Sequence, residues 1–340
     1  MARRAARGSP QSRNPADRPP RVSRASQLDD IDRRLLELLT HDGRASNRWL
    51  AQQVGLTDAS VAARIRRLRE QGVASVTAVF DYDAAGYRWV AFVFVEVDST
   101  RLPRDVGVEI AALPEAHGVS LTFGSTDLIV HTIARDREHL TRLLTQDLVQ
   151  IEGVSNVTAD IVLETVQFSW GLATLPETRD PVLDFPDPVV EIDDLDREML
   201  AHLVQDGRES NREIARQMGV SDGTVRARIR RLEEAGLLRI VAQTDPVALG
   251  QVAAMAHIGV EVEGATRREV ALRLREFPEV VQCVLVSGRY DLHVVVAAAD
   301  LSALGALVAE RMRALPGLRR TTTWPVVEVL GHEYHLVRLL

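Results

Sequence analysis

The chain is written twice. A shift of 164 residues lays Asp29-Asp30 on Asp193-Asp194, Asp42-Gly43-Arg44 on Asp206-Gly207-Arg208, and Arg64-Ile65-Arg66-Arg67-Leu68 on Arg228-Ile229-Arg230-Arg231-Leu232. Residues 28–72 match residues 192–236 at 25 of 45 positions. The same register returns downstream, with Gly86 on Gly250, Pro114 on Pro278, Gly124 on Gly288, Asp127 on Asp291, Gly153 on Gly317 and Glu164 on Glu328. A repeat this long is a duplicated multi-element unit, not a short solenoid repeat. Two like units on one chain can supply the twofold symmetry that otherwise needs a dimer.

Each copy changes character part-way along. Leu28, Ile31, Leu35, Leu38 and Leu39 have helical spacing, and Gly43 is a natural stop. A second short helix follows Ser46; in copy 2 Ser210-Asn211-Arg212-Glu213 has capping-box spacing. Gly55 and Gly219 make a tight turn, and Thr57 and Ser221 are the next N-cap candidates. The third helix puts Val61, Ile65 and Leu68 on one stripe, matched by Val225, Ile229 and Leu232, and ends at Gly72 and Gly236. Its other faces carry arginine. Three short helices, a glycine turn before the third and a basic exposed face predict a helix-turn-helix. Short β-type segments at 73–80 and 237–244 follow, as a wing or a connecting strand.

The second half of each copy reads βαββαβ. Copy 1 has strands at 89–97, 119–123, 128–133 and 157–166 and helices at 103–113 and 136–150. Copy 2 repeats the strands near 252–262, 281–287, 292–298 and 320–330. This order predicts a ferredoxin-like sandwich with helices on one face of an antiparallel sheet. The other sheet face needs a partner, and the second copy is the candidate. The fold class is therefore α+β: two tandem copies of a winged helix-turn-helix domain followed by a ferredoxin-like domain. The expected boundaries are 28–74 and 75–168 for copy 1, and 192–238 and 239–331 for copy 2. Each domain is small, so the halves are expected to stabilise one another.

Residues 1–27 form an arginine-rich tail whose composition predicts disorder, either inert or in loose contact with phosphates. No apolar stretch follows to make it a secretory signal. Residues 169–191, with Pro176, Pro181, Pro186 and Pro188, are a linker stiffened by proline. The tail 332–340 carries His332 and His335, too few ligands for a metal site. No metal or cofactor is expected. The single cysteine, Cys283, lies in the apolar run 280–286 and is expected to be a buried small hydrophobe in a reducing cytoplasm. No run is long and apolar enough for a membrane span. The net charge of −7 argues at first against nucleic acid. The charge is segregated, however: residues 64–69 and 226–231 each hold four arginines and no acid.

Each copy resembles the Lrp/AsnC (feast/famine) family of transcription regulators. The carrying residues are Leu28-Asp29-x-x-Asp32, Asp42-Gly43-Arg44, Val61-x-x-Arg64-Ile65-x-Arg67-Leu68-x-x-x-Gly72 and Gly124-x-x-Asp127-Leu128; in copy 2 the last becomes Gly288-Arg289-Tyr290-Asp291-Leu292. The resemblance covers about 28–168 and 192–331. It implies an N-terminal helix-turn-helix that binds double-stranded DNA and a C-terminal domain that binds a small effector, usually an amino acid, and oligomerises. Members usually carry one unit per chain, so the tandem form departs from the pattern. Here an intramolecular pseudo-dimer is expected, with further self-association left open.

The third helix is expected in the major groove, N-terminal end nearest the bases. Base-edge contact then falls to Ser60 and Ala63, and to Thr224, Arg226 and Ala227, beside the caps Thr57 and Ser221. Arg66, Arg67, Arg230 and Arg231 are expected on phosphates, and Arg64 and Arg228 on either. Ala59 and Ala62 stand where copy 2 has Gly223 and Arg226, so copy 2 is the better-equipped reader. The turns Gly124-Ser125-Thr126-Asp127 and Gly288-Arg289-Tyr290-Asp291 have two readings. One is plain hairpin chemistry. The other, implied by the resemblance, is an effector pocket whose turn N–H groups hold a carboxylate. Arg289 can pair with that carboxylate and Tyr290 can cover the ligand. Copy 1 offers only Ser125 and Thr126, so its pocket is expected to differ.

A rival reading is an enzyme. Siroheme decarboxylases resemble the same two-part architecture, and that resemblance implies a His-Asn-Tyr-x-Arg segment on the second strand. The matching stretches here, Ala116-His117-Gly118-Val119-Ser120 and Val281-Gln282-Cys283-Val284-Leu285, lack it. A metabolite-sensing scaffold without DNA binding is a third class. The reading that fits most residues is a cytoplasmic, effector-modulated, sequence-specific DNA-binding transcription regulator, not an enzyme.

Overall fold

The computed structural model describes residues 28–168, 190–244, 252–264, 266–332 and 336–337. The arginine-rich tail, the proline linker up to residue 189 and His335 fall outside them. Copy 1 runs α1 (Asp30–His41), α2 (Asn47–Val54), α3 (Asp58–Glu70), β1 (Ala74–Asp81), β2 (Trp89–Val97), α4 (Pro103–Ile110), β3 (Ala116–Thr122), β4 (Leu128–Ala134), α5 (Arg137–Arg142) and β5 (Val154–Phe168). Copy 2 runs α6 (Asp194–Gln205), α7 (Asn211–Met218), α8 (Asp222–Glu234), β6 (Leu238–Thr244), β7 (Ala254–Val262), α9 (Arg267–Leu274), β8 (Val280–Ser287), β9 (Leu292–Ala298), α10 (Leu301–Ala306), β10 (Leu318–His332) and β11 (Leu336–Val337). The helix expected over 136–150 is shorter: α5 passes into a π-helical turn, Leu143–Asp147, and α10 likewise into Leu307–Met312.

The first helices start on a capping box that the sequence motif contained. Asp29 accepts from the Asp32 N–H at 2.8 Å while Asp32 accepts from the Asp29 N–H; Asp193 and Asp196 repeat this. Ser46 and Ser210 cap α2 and α7 as expected. The Glu213 carboxylate turns instead to Arg216 and Gln217.

The strand after each third helix finds its partner in the other copy. β1 and β6 pair antiparallel from Ala74↔Thr244 to Phe80↔Leu238, with Thr77 opposite Val241. Thr77 and Val241 are one repeat length apart, so a local twofold axis passes through the centre of this ribbon. β11 adds to the outer edge of β1. The ribbon is packed into one core with both helix-turn-helix units: Leu35, Leu39, Leu50 and Val61 from copy 1 join Met199, Leu203, Ile214 and Val225 from copy 2 around Val76, Ala78, Ile240 and Ala242. The helix-turn-helix units of both copies thus share one core.

The two ferredoxin-like halves, with strand orders β5-β2-β4-β3 and β10-β7-β9-β8, join edge to edge into one closed eight-stranded barrel, β10-β3-β4-β2-β5-β8-β9-β7. The joins β5–β8 and β3–β10 are antiparallel and copy-to-copy. Closure leaves no sheet edge open. The helices cover the outside of each half over separate cores. The inward faces meet in a third core of Phe92, Phe94, Ile129, Val284, Val286, Val295 and Trp324. The second copy is thus the partner for the uncovered sheet face. Cys283 is fully buried, and burial pushes its thiol up to about 12.

Candidate functional site

The third helix of each unit is set by its cap and its stripe. Ser60 donates its N–H to Thr57 Oγ1 at 3.3 Å, and Thr224 donates to Ser221 Oγ at 3.0 Å. The cap hydroxyls also meet those of Ser60 and Thr224, at 2.9 and 2.8 Å. Gly55 and Gly219 end the preceding helices at φ +68° and +70°, left-handed backbone that favours glycine. Val61 and Leu68, and Val225, Ile229 and Leu232, are buried as expected. The opposite face leaves Ser60, Ala63 and Arg66 exposed in α3, and Arg226, Ala227 and Arg230 exposed in α8, with Thr224 half-buried.

The arginines divide into two sets, which sequence reasoning missed. Arg64 reaches back to Asp29 at 2.6 Å and to the fully buried Asp32 at 2.8 Å, and Arg67 reaches Asp32 at 2.5 Å. Arg228 and Arg231 do the same with Asp193 and Asp196. The Arg228 guanidinium holds the Asp193 carboxyl down to about 2. These four side chains tie the third helix to the cap of the first. Phosphate contact was the expected role of Arg67 and Arg231, and either base or phosphate contact that of Arg64 and Arg228; in the DNA-free chain all four are held by carboxylates, with Arg67 and Arg231 still 44% and 42% exposed. The spacing Asp29-x-x-Asp32 was the available signal, since it gathers two carboxylates at one helix start, where a guanidinium from a packed helix can join them. Arg66 has no ion pair among the described residues. Among the described residues Arg226 and Arg230 pair along their own helix, with Asp222 at 2.6 Å and Glu234 at 2.7 Å, and project at 70% and 76% side-chain exposure. Such pairs are weak and readily exchanged.

The Asp-Gly-Arg segments, read from sequence as helix stops, form a reciprocal clasp between the copies. Gly43 donates its N–H to Ile240 O at 2.8 Å, and Gly207 donates to Val76 O at 2.9 Å. Each glycine lies flat on the β1–β6 ribbon, where a side chain would collide with it. Arg208 donates to Gly43 O, Ala45 O and Asn47 Oδ1 at 2.7–2.9 Å, and Arg44 donates to Glu209 O at 2.6 Å. The clasp ties the helix-turn-helix unit of one copy to that of the other.

The two barrel turns sit where β3 meets β4 and β8 meets β9. Their aspartates face the strands: Asp127 Oδ2 accepts the Val97 N–H at 2.8 Å, and Asp291 Oδ2 accepts the Val262 N–H at 2.9 Å. Asp291 also pairs with Arg267 at 2.6 Å. The rest of each turn meets the other copy. Ser125 Oγ accepts the Trp324 indole N–H at 3.2 Å, and the Thr126 side chain is buried. The Arg289 N–H donates to Asp160 Oδ1 at 2.6 Å, the Arg289 guanidinium lies 5.2 Å above the Phe94 ring, and the Tyr290 ring is tilted against Phe94 with centroids 6.4 Å apart.

The barrel interior also holds three histidines that the sequence did not flag. His257 bonds to His293 at 2.9 Å and to Ser120 Oγ at 3.0 Å, and Phe92 stacks between His293 and His131 at 3.7 and 4.9 Å. Burial holds His257 down to about 4, and holds His293 well below the usual imidazole range.

Comparison with known proteins joins these parts. The AsnC-type helix-turn-helix domain matches residues 28–69 and 192–233, and the Lrp/AsnC ligand binding domain matches 90–169 and 255–335. The chain belongs to the Lrp/AsnC family of transcription regulators. It carries the family's two-domain unit in tandem. It is 32% identical over 152 residues to an uncharacterised HTH-type transcriptional regulator of Pyrococcus abyssi, covering 44% of this chain and 94% of that one. It is 36% identical over 140 residues to the HTH-type transcriptional regulator FL11 of Pyrococcus horikoshii, covering 41% and 91%. Among solved structures, that of the siroheme decarboxylase NirDL covers 89% of this chain and 93% of its own at a TM-score of 0.62 and 17% identity. That likeness is one of fold.

Proposed function

We propose that this Lrp/AsnC member is a DNA-binding regulator that works as a single-chain pseudo-dimer with two unequal reading heads. The observation that carries this reading is the β1–β6 ribbon. Its register relates α3 and α8 by a twofold axis, and the clasp holds them there. In this reading Ser60 and Ala63 face base edges in one half-site, and Thr224, Arg226 and Ala227 in the other. Arg66 and Arg230 meet phosphates. Copy 2 supplies most of the discrimination, since an arginine–guanine pair contributes ~1–3 kcal/mol. A small effector acts through the barrel, an amino acid or related metabolite being what the family resemblance implies. The protein acts in the cytoplasm and catalyses no reaction.

Selection of bound sequences from a random DNA pool tests this. The expected product is a bipartite site with unequal halves about one helical turn, or a small multiple of it, apart. No enrichment would refute DNA reading, and a perfect palindrome with equal loss from either half would refute unequal heads. Titration with an iron tetrapyrrole, followed by absorbance, checks the decarboxylase alternative. The interior of this barrel is filled by Phe92, Phe94, Ile129, Val284, Val286 and Trp324, which leaves little room for a tetrapyrrole and supports expecting no spectral change.

A further inference from the structure

We infer that the Gly288–Asp291 turn is a carboxylate-binding site whose resident ligand is the chain's own Asp160, a tethered occupant with which any free carboxylate must compete. Asp160 belongs to β5 of the other copy and is fully buried. Its Oδ1 accepts the Arg289 N–H at 2.6 Å, and its Oδ2 has no partner among the described residues. The carboxylate lies so close on Gly288 that a Cβ there would stand 2.9 Å from Asp160 Cγ. Gly288 is not in the left-handed region, so close approach is what requires glycine here. Burial raises the Asp160 carboxyl above the usual range, while the Arg289 N–H and guanidinium pull the other way. The Arg289 side chain stays beside the site, over Phe94 and 3.4 Å from Thr158 Oγ1. A turn N–H, a nearby guanidinium and a glycine floor are what a carboxylate needs.

The other turn is closed differently. Trp324, one repeat length from Asp160, occupies the equivalent place on β10. Its ring lies 3.4 Å from where a Cβ on Gly124 would stand, and its indole N–H goes to Ser125 Oγ. The twofold-related seats are therefore filled by two different side chains, one anionic and one aromatic. A tethered group competes at an effective concentration of about millimolar or above. A free amino acid can use the Gly288–Asp291 seat only by displacing Asp160. This rests on the regulator reading for its biological meaning, not for its chemistry.

The test uses the full chain, with acetate and L-leucine as probes and methylammonium chloride as the cation control, read by calorimetry. Asp160→Ala should bind both carboxylates at least tenfold more tightly than wild type, with no gain for methylammonium. Asp160→Asn, which keeps an acceptor in the seat, should stay near wild type. Equal carboxylate affinity in wild type and Asp160→Ala overturns the inference. Should Asp160→Ala not fold, the backbone amide resonance of Arg289 gives a second reading. In wild type it should shift in one step as Asp160 is protonated, and in Asp160→Asn it should not; an Arg289 amide that ignores pH in wild type overturns the assignment. Failure of the regulator reading would show separately, as wild type without sequence-selective DNA binding.

Discussion

Replacing Gly43 with alanine tests the clasp at its tightest point. An added Cβ would stand 2.7 Å from the Ile240 carbonyl oxygen and 2.8 Å from Val76 Cγ1, closer than real Cβ atoms come. The oxygen is main chain of a paired strand, so it cannot swing aside. Relief requires the segment to lift off the ribbon, lengthening the Gly43 N–H bond to Ile240 O and loosening the three bonds that Arg208 makes across the same joint. Overpacking costs ~1–3 kcal/mol and the lost hydrogen bond ~1 kcal/mol, for a total of about 2–4 kcal/mol. Urea unfolding followed by circular dichroism should show the midpoint falling by roughly 1 M, with m of about 3 kcal/mol/M or more and unchanged. Gly305→Ala is the control: it lies in α10 with nothing within 4 Å of the new Cβ, and should stabilise by ~0.5–1 kcal/mol. Loosening the clasp also frees one head from the other, so affinity for a bipartite site should fall more than affinity for a lone half-site. A loss under about 0.5 kcal/mol, within the range of ordinary surface changes, or an unaltered preference for the bipartite site, would refute the reasoning.

Arg228→Ala should destabilise the DNA-free protein by about 2–4 kcal/mol, since it strips one cation from the buried Asp196; thermal unfolding unchanged from wild type would refute the structural role. Arg226→Ala should change which DNA sequence is preferred while Arg230→Ala weakens all sequences alike, and identical selected sites for wild type and Arg226→Ala would refute base reading. Binding should weaken steeply with salt, as released counterions require; a flat dependence across the physiological range would refute the arginine faces as DNA contacts. Acid should destabilise the fold between pH 6.5 and about 4. His117 and His257 are held down to about 4 by burial, and His293 is held well below the usual imidazole range, so the unfolded chain binds protons first and stability falls as pH falls. His117 and His257 each contribute a loss of about 2 kcal/mol by pH 5, read from urea midpoints; equal midpoints at pH 7 and pH 5 would refute the buried neutral state.

The helix-turn-helix was legible because its signals are local. Thr57 and Ser221 cap, Gly55 and Gly219 turn, and a 3.6-residue stripe buries itself wherever the chain goes. The βαββαβ order was legible for the same reason, and the 164-residue repeat named the partner for each uncovered sheet face. Tertiary structure decided what lies across copies. It closed two sheets into one barrel, because the β3 and β8 edges meet the β10 and β5 edges. It made Asp42-Gly43-Arg44 a clasp, because the ribbon passes within reach of Gly43. It sorted identical arginines into those bound to Asp32 and Asp196 and those left outward, a difference of direction around a helix that residue type does not reveal. It put Asp160 into a turn 129 residues away. Local patterning is set by bonds within a few residues, whereas these contacts depend on where the other copy comes to rest.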